Sequence, residues 1–171
     1  MIIISTIYHK EELTMRGFEV LSEHQDQIND LCTELGLDSW IPRRSTTKSA
    51  GYDLRTIEEV TILPGQIKII GTGLTAYMQD DEELQIRCRS GLAAKMGAIL
   101  ANGVGTVDSD YYGKHICVML RNIETGPMAR EIHLNAGDRI AQAVFSKYLI
   151  IDADDPVDKE RTGGFGSTGI K

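Results

Sequence analysis

After residue 41, hydrophobic and polar positions alternate with a period of two along most of the chain. The alternation is clearest where Leu84, Ile86 and Cys88 are separated by polar side chains. A period of two predicts β-strands with one buried face. Further runs of this kind cover residues 57–62, 67–71, 74–78, 115–120, 131–134 and 139–150.

Short turn sequences separate these runs. Residues 63–66 have the composition of a type II turn, with Gly65 at the position that requires a positive φ. We expect further turns at the acidic residues 80–83 and at residues 135–138. Many short strands joined by such turns predict a mainly β domain of the antiparallel barrel or jelly-roll type.

The first 40 residues have a different pattern. Apolar residues recur at helical spacing between Leu21 and Leu35, residues 22–25 have the form of a capping box, and Gly36 is placed to end a helix. We therefore predict three regions: an N-terminal extension (1–40) with a short strand and one amphipathic helix, a β domain (41–151), and a flexible C-terminal arm (152–171). We expect the apolar stripe of the helix to pack on its own subunit.

Charge is concentrated in the extension. Residues 1–40 hold 2 basic and 8 acidic residues, whereas residues 41–171 hold 16 and 17. An acidic chain without a basic stripe is a poor binder of nucleic acid, because phosphate neutralisation supplies most of that affinity. The acidic extension is, however, the segment where a protein partner specific to this family member would bind.

Two further features concern the compartment. The three cysteines are odd in number and lack CxxC spacing, which favours reduced thiols and the cytoplasm. The apolar residues 1–8 have no basic start and are too short to span a membrane, so no membrane association is expected.

Residues 102–113 combine three glycines with strand-forming residues, two aspartates and two tyrosines. The combination predicts a hairpin whose backbone forms a pocket for a flat ligand with a polar edge. Asp108 and Asp110 share a face if the segment is extended, whereas a turn would point Asp110 away and leave it a structural role. The alternative is an ordinary surface turn rich in aspartate and asparagine.

Two other segments carry candidate phosphate-binding groups. Arg89 and Ser90 stand where a strand meets a helix-forming run, where they could form an anion site, although this segment alone favours an ordinary N-cap at Ser90. Residues 161–169 hold one arginine, one phenylalanine, two hydroxyl side chains next to each other and several glycines. This composition predicts an arm that closes over a nucleotide rather than a simple linker.

Five segments together resemble, in order and spacing, the five motifs of the trimeric dUTPase family. They are residues 50–54, 89–93, 102–113, 137–142 and 161–169. The resemblance covers about residues 41–171, and residues 1–40 lie outside it. One spacing differs from the family pattern, because Arg161 precedes Phe165 by four residues rather than five.

The resemblance implies a homotrimer of subunits with a jelly-roll-like β-clip fold. It also implies Mg²⁺-assisted hydrolysis of dUTP to dUMP and pyrophosphate, which limits uracil in DNA and supplies dUMP for dTMP synthesis. Each active site would take residues from different subunits, and the C-terminal arm would close over it.

Residue by residue, the resemblance implies three catalytic groups. Asp53 would hold waters of the Mg²⁺ ion, Asp108 would polarise the attacking water, and Gln142 would help to position that water. The implied substrate-binding residues are Arg89, Ser90 and Gly91 at the phosphates, Asn102, Gly105 and Val107 at uracil, Tyr111 at the deoxyribose, and Arg161, Phe165, Gly166, Ser167 and Thr168 in the arm.

These roles agree with the chemistry of a triphosphate. Its charge is spread over many oxygens, so the transition state needs a metal and fixed arginines more than a protein nucleophile. Mg²⁺ keeps several waters and takes few protein ligands, so a cluster of acidic residues and histidines is not required. None of the four histidines falls in a motif, and we interpret all four as non-catalytic.

Two alternatives remain at this stage. A dCTP deaminase shares the fold, but that group carries a glutamate on the strand after the aspartate hairpin, and residues 116–120 contain none. A regulatory protein would use the nucleotide site as a sensor and the N-terminal extension to hold a partner. Deletion of residues 1–40 distinguishes regulation from catalysis: unchanged turnover together with loss of a partner in a pull-down would favour regulation by the extension.

Overall fold

The computed structural model of the chain describes residues 16–156. Within this range the strands are β1 (Gly17–Val20), β2 (Tyr52–Arg55), β3 (Val60–Ile62), β4 (Ile67–Gly71), β5 (Leu74–Tyr77), β6 (Glu82–Arg87), β7 (Ala98–Leu100), β8 (Gly105–Asp108), β9 (Cys117–Asn122), β10 (Ile132–Leu134) and β11 (Arg139–Lys147). The α-helices are α1 (Gln25–Leu35) and α2 (Ser90–Met96), and short 3-10 turns lie at Ser22–His24 and Ser109–Tyr111.

The strands form antiparallel sheets around one core. A four-stranded sheet has the order β2-β11-β6-β8, a three-stranded sheet has the order β4-β9-β7, and two-stranded sheets pair β1 with β5 and β10 with β3. Leu54, Leu84 and Ile140 of the four-stranded sheet are fully buried, as are Ile70 and Leu120 of the three-stranded sheet. The prediction of a mainly β, jelly-roll-like fold is therefore confirmed.

The turn at residues 63–66 has the predicted chemistry. Gly65 has a φ of 75°, and the amide of Gln66 donates to the carbonyl of Leu63 at 2.9 Å. The strand before this turn is shorter than expected and begins at Val60. The reason is a local turn in which the Thr56 hydroxyl accepts a hydrogen bond from the amide of Glu58.

The N-terminal helix is present, but its predicted capping box is wrong. Ser22 lies in a 3-10 turn before α1, and no side chain caps the first residues of either element. The hydroxyl of Ser22 instead contacts the neighbouring Glu23 at 3.5 Å. The predicted end of the helix is confirmed, because Gly36 takes the left-handed conformation with a φ of 62°.

The extension packs on its own chain, as expected. Ile28 of α1 is buried, and the side chain of Gln27 donates to the carbonyl of Ile57 at 2.8 Å. Trp40 donates to the carbonyl of Thr72 at 2.9 Å. These contacts join the extension to the loops around β3 and β4.

The acidic run 80–83 does not form a turn throughout. Glu82 is buried and begins β6, where its carboxylate accepts hydrogen bonds from the guanidinium of Arg16 and from the amide of Gln79. The arginine and this amide lower the pKa of the Glu82 carboxyl. A charged residue tolerates burial here because it has an opposite charge and a hydrogen-bond donor beside it.

All three cysteines are half-buried free thiols. Burial raises the pKa of the Cys117 thiol. Neither helix within residues 16–156 has the length and the apolar composition needed to cross a membrane.

His115 makes the stability of the fold depend on pH. Its ring lies 4.5 Å from the ring of His24, and its Nε2 accepts the amide of Gly73 at 2.8 Å. Burial lowers the pKa of His115 from 6.5, and the neighbouring His24 lowers it further, whereas Glu23 and Glu58 oppose the shift without reversing it. The folded state therefore favours neutral His115, and this stability is complete above pH 6.5 and is lost as the pH falls through the lowered pKa.

We expect the melting temperature of His115→Gln to fall less between pH 7 and pH 5 than that of the wild type, because glutamine does not gain a proton. Differential scanning calorimetry measures this difference. His133→Gln is the matched control, since the His133 side chain is 64% exposed. An equal fall in the wild type and in His115→Gln would contradict the assignment.

Candidate active site

The stretch 102–113 is not the predicted hairpin. The strand before it, β7, pairs with β9, whereas β8 pairs with β6. The turn that joins β7 to β8 therefore carries the chain from one sheet to the other. Gly103 in this turn has a φ of 73°, which favours glycine.

The prediction of a pocket formed by this stretch agrees with the structure. A cavity of about 180 Å³ lies beside β8 and β9. It is lined by Ile86, Asn102, Gly105, Thr106, Val107, Asp108, Tyr111, Ile116, Cys117 and Met119. At Gly105 a Cβ atom would lie 3.1 Å from the Cβ of Ile86 and 3.4 Å from Nδ2 of Asn102. A larger residue would therefore crowd two residues that line the cavity.

The segment after Asp108 turns rather than continuing as a strand. Residues Ser109–Tyr111 form a 3-10 turn, so Asp110 does not extend the strand face of Asp108. The expectation of two carboxylates on one extended face is therefore wrong, and the turn given as its alternative is present. Tyr111 donates its hydroxyl to the carbonyl of His115 at 3.2 Å.

A second group of predicted residues surrounds the carboxylate of Asp53. Arg89 donates through Nε to Oδ1 of Asp53 at 2.9 Å, and Arg139 donates through Nη1 to Oδ2 at 3.0 Å. Arg89 also donates to the carbonyl of Arg139 at 3.0 Å. We refer to Asp53, Arg89 and Arg139 as the arginine–aspartate cluster.

Sequence reasoning missed Arg139 as a site residue. It stands three residues before Gln142 in the segment 137–142, and this place in the motif was the available signal. Strand β11 carries both Arg139 and Gln142. Gln142 is opposite Asp53 of β2, so both residues of β11 lie close to Asp53.

The predicted phosphate-binding residues Ser90 and Gly91 begin α2 beside this cluster. Arg89, with extended backbone angles, occupies the cap position, so Ser90 is a helical residue and not the N-cap. A Cβ atom at Gly91 would meet nothing within 4 Å. Gly91 faces a cleft of about 410 Å³ whose lining also includes Arg89, Lys95 and Arg139. Its lining holds three cationic side chains against one acidic residue, Asp138, and this excess of positive charge suits an anionic ligand.

Gln142 is held close to the cluster. Its Nε2 donates to the carbonyl of Cys88 at 3.0 Å. A Cβ atom at Gly51 would overlap Oε1 of Gln142, so the glycine that precedes β2 makes room for this side chain.

The pairing register of β6 fixes the distance between Gln142, beside the arginine–aspartate cluster, and Asp108, at the cavity beside β8. Gln142 of β11 is opposite Arg87, and Asp108 of β8 is opposite Glu83 on the other side of β6. With a rise of about 3.3 Å per residue and about 4.8 Å between strands, the Cα atoms of Asp108 and Gln142 are about 16 Å apart. Asp53 lies one strand further out. One copy of the chain thus keeps Asp108 apart from both of the other predicted catalytic residues.

The other predicted site residues belong to the C-terminal arm. Arg161, Phe165, Gly166, Ser167 and Thr168 lie outside the described residues. Within residues 16–156, no group of three or more histidine, cysteine, aspartate or glutamate side chains is arranged to hold a metal ion.

The mainly β fold thus carries a cleft suited to an anionic group and a separate small cavity beside β8, which are the two kinds of site that a nucleotide-binding β protein needs. The family model described as dUTPase matches residues 38–169. The chain therefore belongs to the dUTPase family.

Individual relatives agree with this family. The deoxyuridine 5′-triphosphate nucleotidohydrolase of Lactococcus lactis subsp. lactis (strain IL1403) is 41% identical over 163 residues, which are 92% of this chain and 99% of the relative. The crystal structure of dUTPase from Streptococcus mutans matches with a TM-score of 0.68 and 34% identity, over 80% of this chain and 99% of that chain.

A more distant structure shares the fold. It is a point mutant of the dUTPase from phage phi11 of S. aureus, described as revealing how a structural Mg(II) ion is coordinated. This structure matches with a TM-score of 0.65 and 17% identity over 86% of this chain and 99% of that chain.

The Lactococcus alignment also corrects one expectation. Because it covers 92% of this chain, it leaves out too few residues to exclude all of residues 1–40. Part of the N-terminal extension therefore has a counterpart in that relative, although we expected the whole extension to lie outside the resemblance.

The arginine–aspartate cluster leads to a prediction about anion binding. Asp53 competes with any anion for the guanidinium groups of Arg89 and Arg139. In the presence of a chelator, we expect Asp53→Asn to bind inorganic pyrophosphate roughly fivefold more tightly than the wild type, as measured by isothermal titration calorimetry. Asp26→Asn, which removes the same charge from the exposed face of α1, is the control. Weaker binding by Asp53→Asn than by the control would contradict the competition.

Proposed function

We propose that the chain hydrolyses dUTP to dUMP and pyrophosphate by attack of water on the α-phosphorus, and that it does so as a homotrimer. The observation that carries this proposal is the 41% identity with a deoxyuridine 5′-triphosphate nucleotidohydrolase over 99% of that relative's length. In this role the enzyme limits the uracil available for DNA and supplies dUMP for dTMP synthesis.

The triphosphate binds at the cationic cleft beside α2. Arg89 donates to phosphate oxygens, together with the hydroxyl of Ser90 and the amide of Gly91. Support comes from the cleft, which joins Arg89 to Arg139 and Lys95 around the open surface of Gly91. Fixed guanidinium groups stabilise the charge that develops on the phosphate oxygens.

Asp53 is the residue that would hold Mg²⁺, through water molecules. The fit rests on its chemistry and exposure, because the Asp53 side chain is 18% exposed and a carboxylate can accept hydrogen bonds from the waters that Mg²⁺ keeps. A bound Mg²⁺ ion withdraws charge from the phosphate oxygens. Arg89 and Arg139 hold the Asp53 carboxylate in place from both of its oxygens.

Uracil binds in the cavity beside β8. Asn102 and the backbone of Gly105 and Val107 read its polar edge, and the small size of the cavity favours a single pyrimidine ring. Burial of a mismatched polar group costs about 1–3 kcal/mol, so rigid backbone donors and acceptors can separate uracil from cytosine. Tyr111, at the same cavity, lies against the deoxyribose and leaves no room for a 2′-hydroxyl.

Asp108 directs the water molecule. A carboxylate within hydrogen-bond reach of a water can accept its proton as it attacks phosphorus, and Asp108 is the carboxylate at this cavity. Gln142 helps to orient the same water from the side of the phosphates. The two residues therefore need to approach each other more closely than a single copy of the chain allows.

Association into a homotrimer would bring Asp108 of one copy close to Gln142 of another. In one copy about 16 Å lies between Asp108 and Gln142, which is too far for one water molecule to contact both side chains. A second copy would present its Asp108 to the phosphate cleft of the first. The exposed apolar side chains of Ile67 and Ile69 on β4, and of Val104 before β8, favour association between copies.

The C-terminal arm completes the site. Phe165 covers the uracil ring, and Arg161, Ser167, Thr168 and the amide of Gly166 bind the outer phosphates. These roles rest on the motif alone, because all five residues lie outside the described part of the chain.

The proposal predicts selective release of pyrophosphate. We expect purified protein with Mg²⁺ to release pyrophosphate from dUTP at least a hundredfold faster than from dCTP, dTTP or UTP, and to lose this activity in EDTA. A coupled pyrophosphate assay measures each rate. Comparable rates with dCTP and dUTP would contradict the proposal that the cavity beside β8 selects uracil. Deamination of dCTP would favour the deaminase alternative.

A further inference from the structure

The turn that carries Asp108 and Tyr111 is fastened to the N-terminal extension. The hydroxyl of Tyr112 donates to Oε2 of Glu19 on β1 at 2.8 Å, and the amide of Gly113 donates to the hydroxyl of Thr75 on β5 at 2.8 Å. Both contacts lie just after the 3-10 turn, where pairing of β8 with β6 has ended.

Glu19 and Thr75 form one support, because they are opposite each other in the β1–β5 pair. Opposite residues in an antiparallel pair project from the same face, so both oxygens reach the turn from one side. Thr75 is buried and belongs to the body of the domain, whereas Glu19 is supplied by the extension.

A ring contact strengthens this support. Tyr77 on β5 packs edge-on against Tyr112, with ring centroids 6.4 Å apart. A Cβ atom at Gly17, opposite Tyr77, would overlap the Tyr77 ring. Glycine at this position of β1 therefore allows the Tyr77 ring to lie across the strand.

Strand β1 is itself held firmly enough to act as an anchor. Phe18 packs between the rings of Tyr52 and Phe145, with centroid distances of 5.6 and 5.3 Å. Arg16, immediately before β1, pairs with the buried Glu82. The strand is therefore fixed both by apolar packing and by an ion pair.

The hydroxyl of Tyr112 keeps its proton at neutral pH. Burial, followed by the contact with Glu19, raises the pKa of Tyr112 to about 12. The hydroxyl consequently remains a donor to the carboxylate, and hydrogen bonds to ionised acceptors are stronger than those between neutral groups.

We propose that Glu19 is a positioning residue for the reaction, because it fixes the Asp108–Tyr111 segment through the hydroxyl of Tyr112. The proposal rests on the proposed function. It gives the N-terminal extension a role inside its own subunit, in addition to any partner that the acidic surface of α1 binds.

The test compares Glu19→Ala, Glu19→Gln, Tyr112→Phe and the double variant Glu19→Ala/Tyr112→Phe in dUTP hydrolysis. We expect kcat to fall roughly tenfold or more in Glu19→Ala and in Tyr112→Phe, with a smaller change in KM, because a small displacement of a catalytic group slows the chemical step. Glu19→Gln should restore most of kcat, since its amide oxygen still accepts the hydroxyl.

The double variant should be no slower than either single variant, because both single changes remove the same contact. Tyr148→Phe is the matched control, since the Tyr148 hydroxyl donates to the carbonyl of Asp80 away from the cavity. It should keep the wild-type kcat. Size-exclusion mass measurements show whether each variant keeps the wild-type assembly.

Losses that add in the double variant, a Glu19→Gln variant as slow as Glu19→Ala, or an unchanged kcat would overturn the positioning role. If the wild-type protein does not hydrolyse dUTP, the proposed function is wrong, and the kinetic comparison no longer tests the positioning role. In that event hydrogen exchange still decides the structural link: amides 109–113 should exchange faster in Glu19→Ala and Tyr112→Phe than in Tyr148→Phe, and equal exchange would overturn it.

Discussion

The register of the four-stranded sheet is the constraint on which the rest of the structure depends. Strand β6 pairs on one side with β11, which carries Gln142, and on the other side with β8, which carries Asp108. Antiparallel hydrogen bonding fixes the relative positions of these strands, so the separation of the two residues is a property of the fold. Neither a side-chain rotation nor a loop movement closes about 16 Å.

The two groups of residues also differ in physical character. The arginine–aspartate cluster holds two guanidinium groups around one carboxylate and so keeps a net positive charge, and its two arginines line the cleft beside α2. The cavity beside β8 is lined by apolar residues together with a few polar ones, among them Asn102, Asp108 and Tyr111. This division suits a nucleotide, whose phosphates require charge and whose base requires a shaped pocket with a few polar contacts. The proposed homotrimer would join the two surfaces at a subunit interface.

The sequence predicts the elements of this fold better than their arrangement. Alternation along residues 84–89 and the glycine at position 65 correctly predict β6 and the turn between β3 and β4, because both signals are local. Alternation does not determine which strand lies next to which, so the stretch 102–113 has the pattern of a hairpin although it connects two sheets. Burial of Glu82 depends on Arg16, 66 residues away, and an acidic run gives no sign of such a partner.

The candidate site shows the same limit. The motifs name the candidate residues but not their arrangement. The structure places Asp53 and Gln142 on adjacent strands, with Arg89 hydrogen-bonded to Asp53 from the cap of α2, and it places Asn102 and Asp108 at one cavity. The motifs themselves do not group the residues in this way. They give no distance between these two sets, because that distance depends on strand pairing. They also leave the support from Glu19 unrecognised, since an isolated glutamate in a short strand has no distinguishing pattern.

Mixed assemblies test the central claim that one catalytic site takes residues from two copies of the chain. Asp108→Asn and Gln142→Ala are each expected to be almost inactive. When the two variants are unfolded together and refolded in equal amounts, about one quarter of the sites in random trimers should contain both native residues and recover a matching fraction of the wild-type rate. A mixture of Asp53→Asn with Gln142→Ala should remain inactive, because β2 and β11 of the same copy supply both residues. Absence of recovery in the first mixture, with trimers present, would contradict the account.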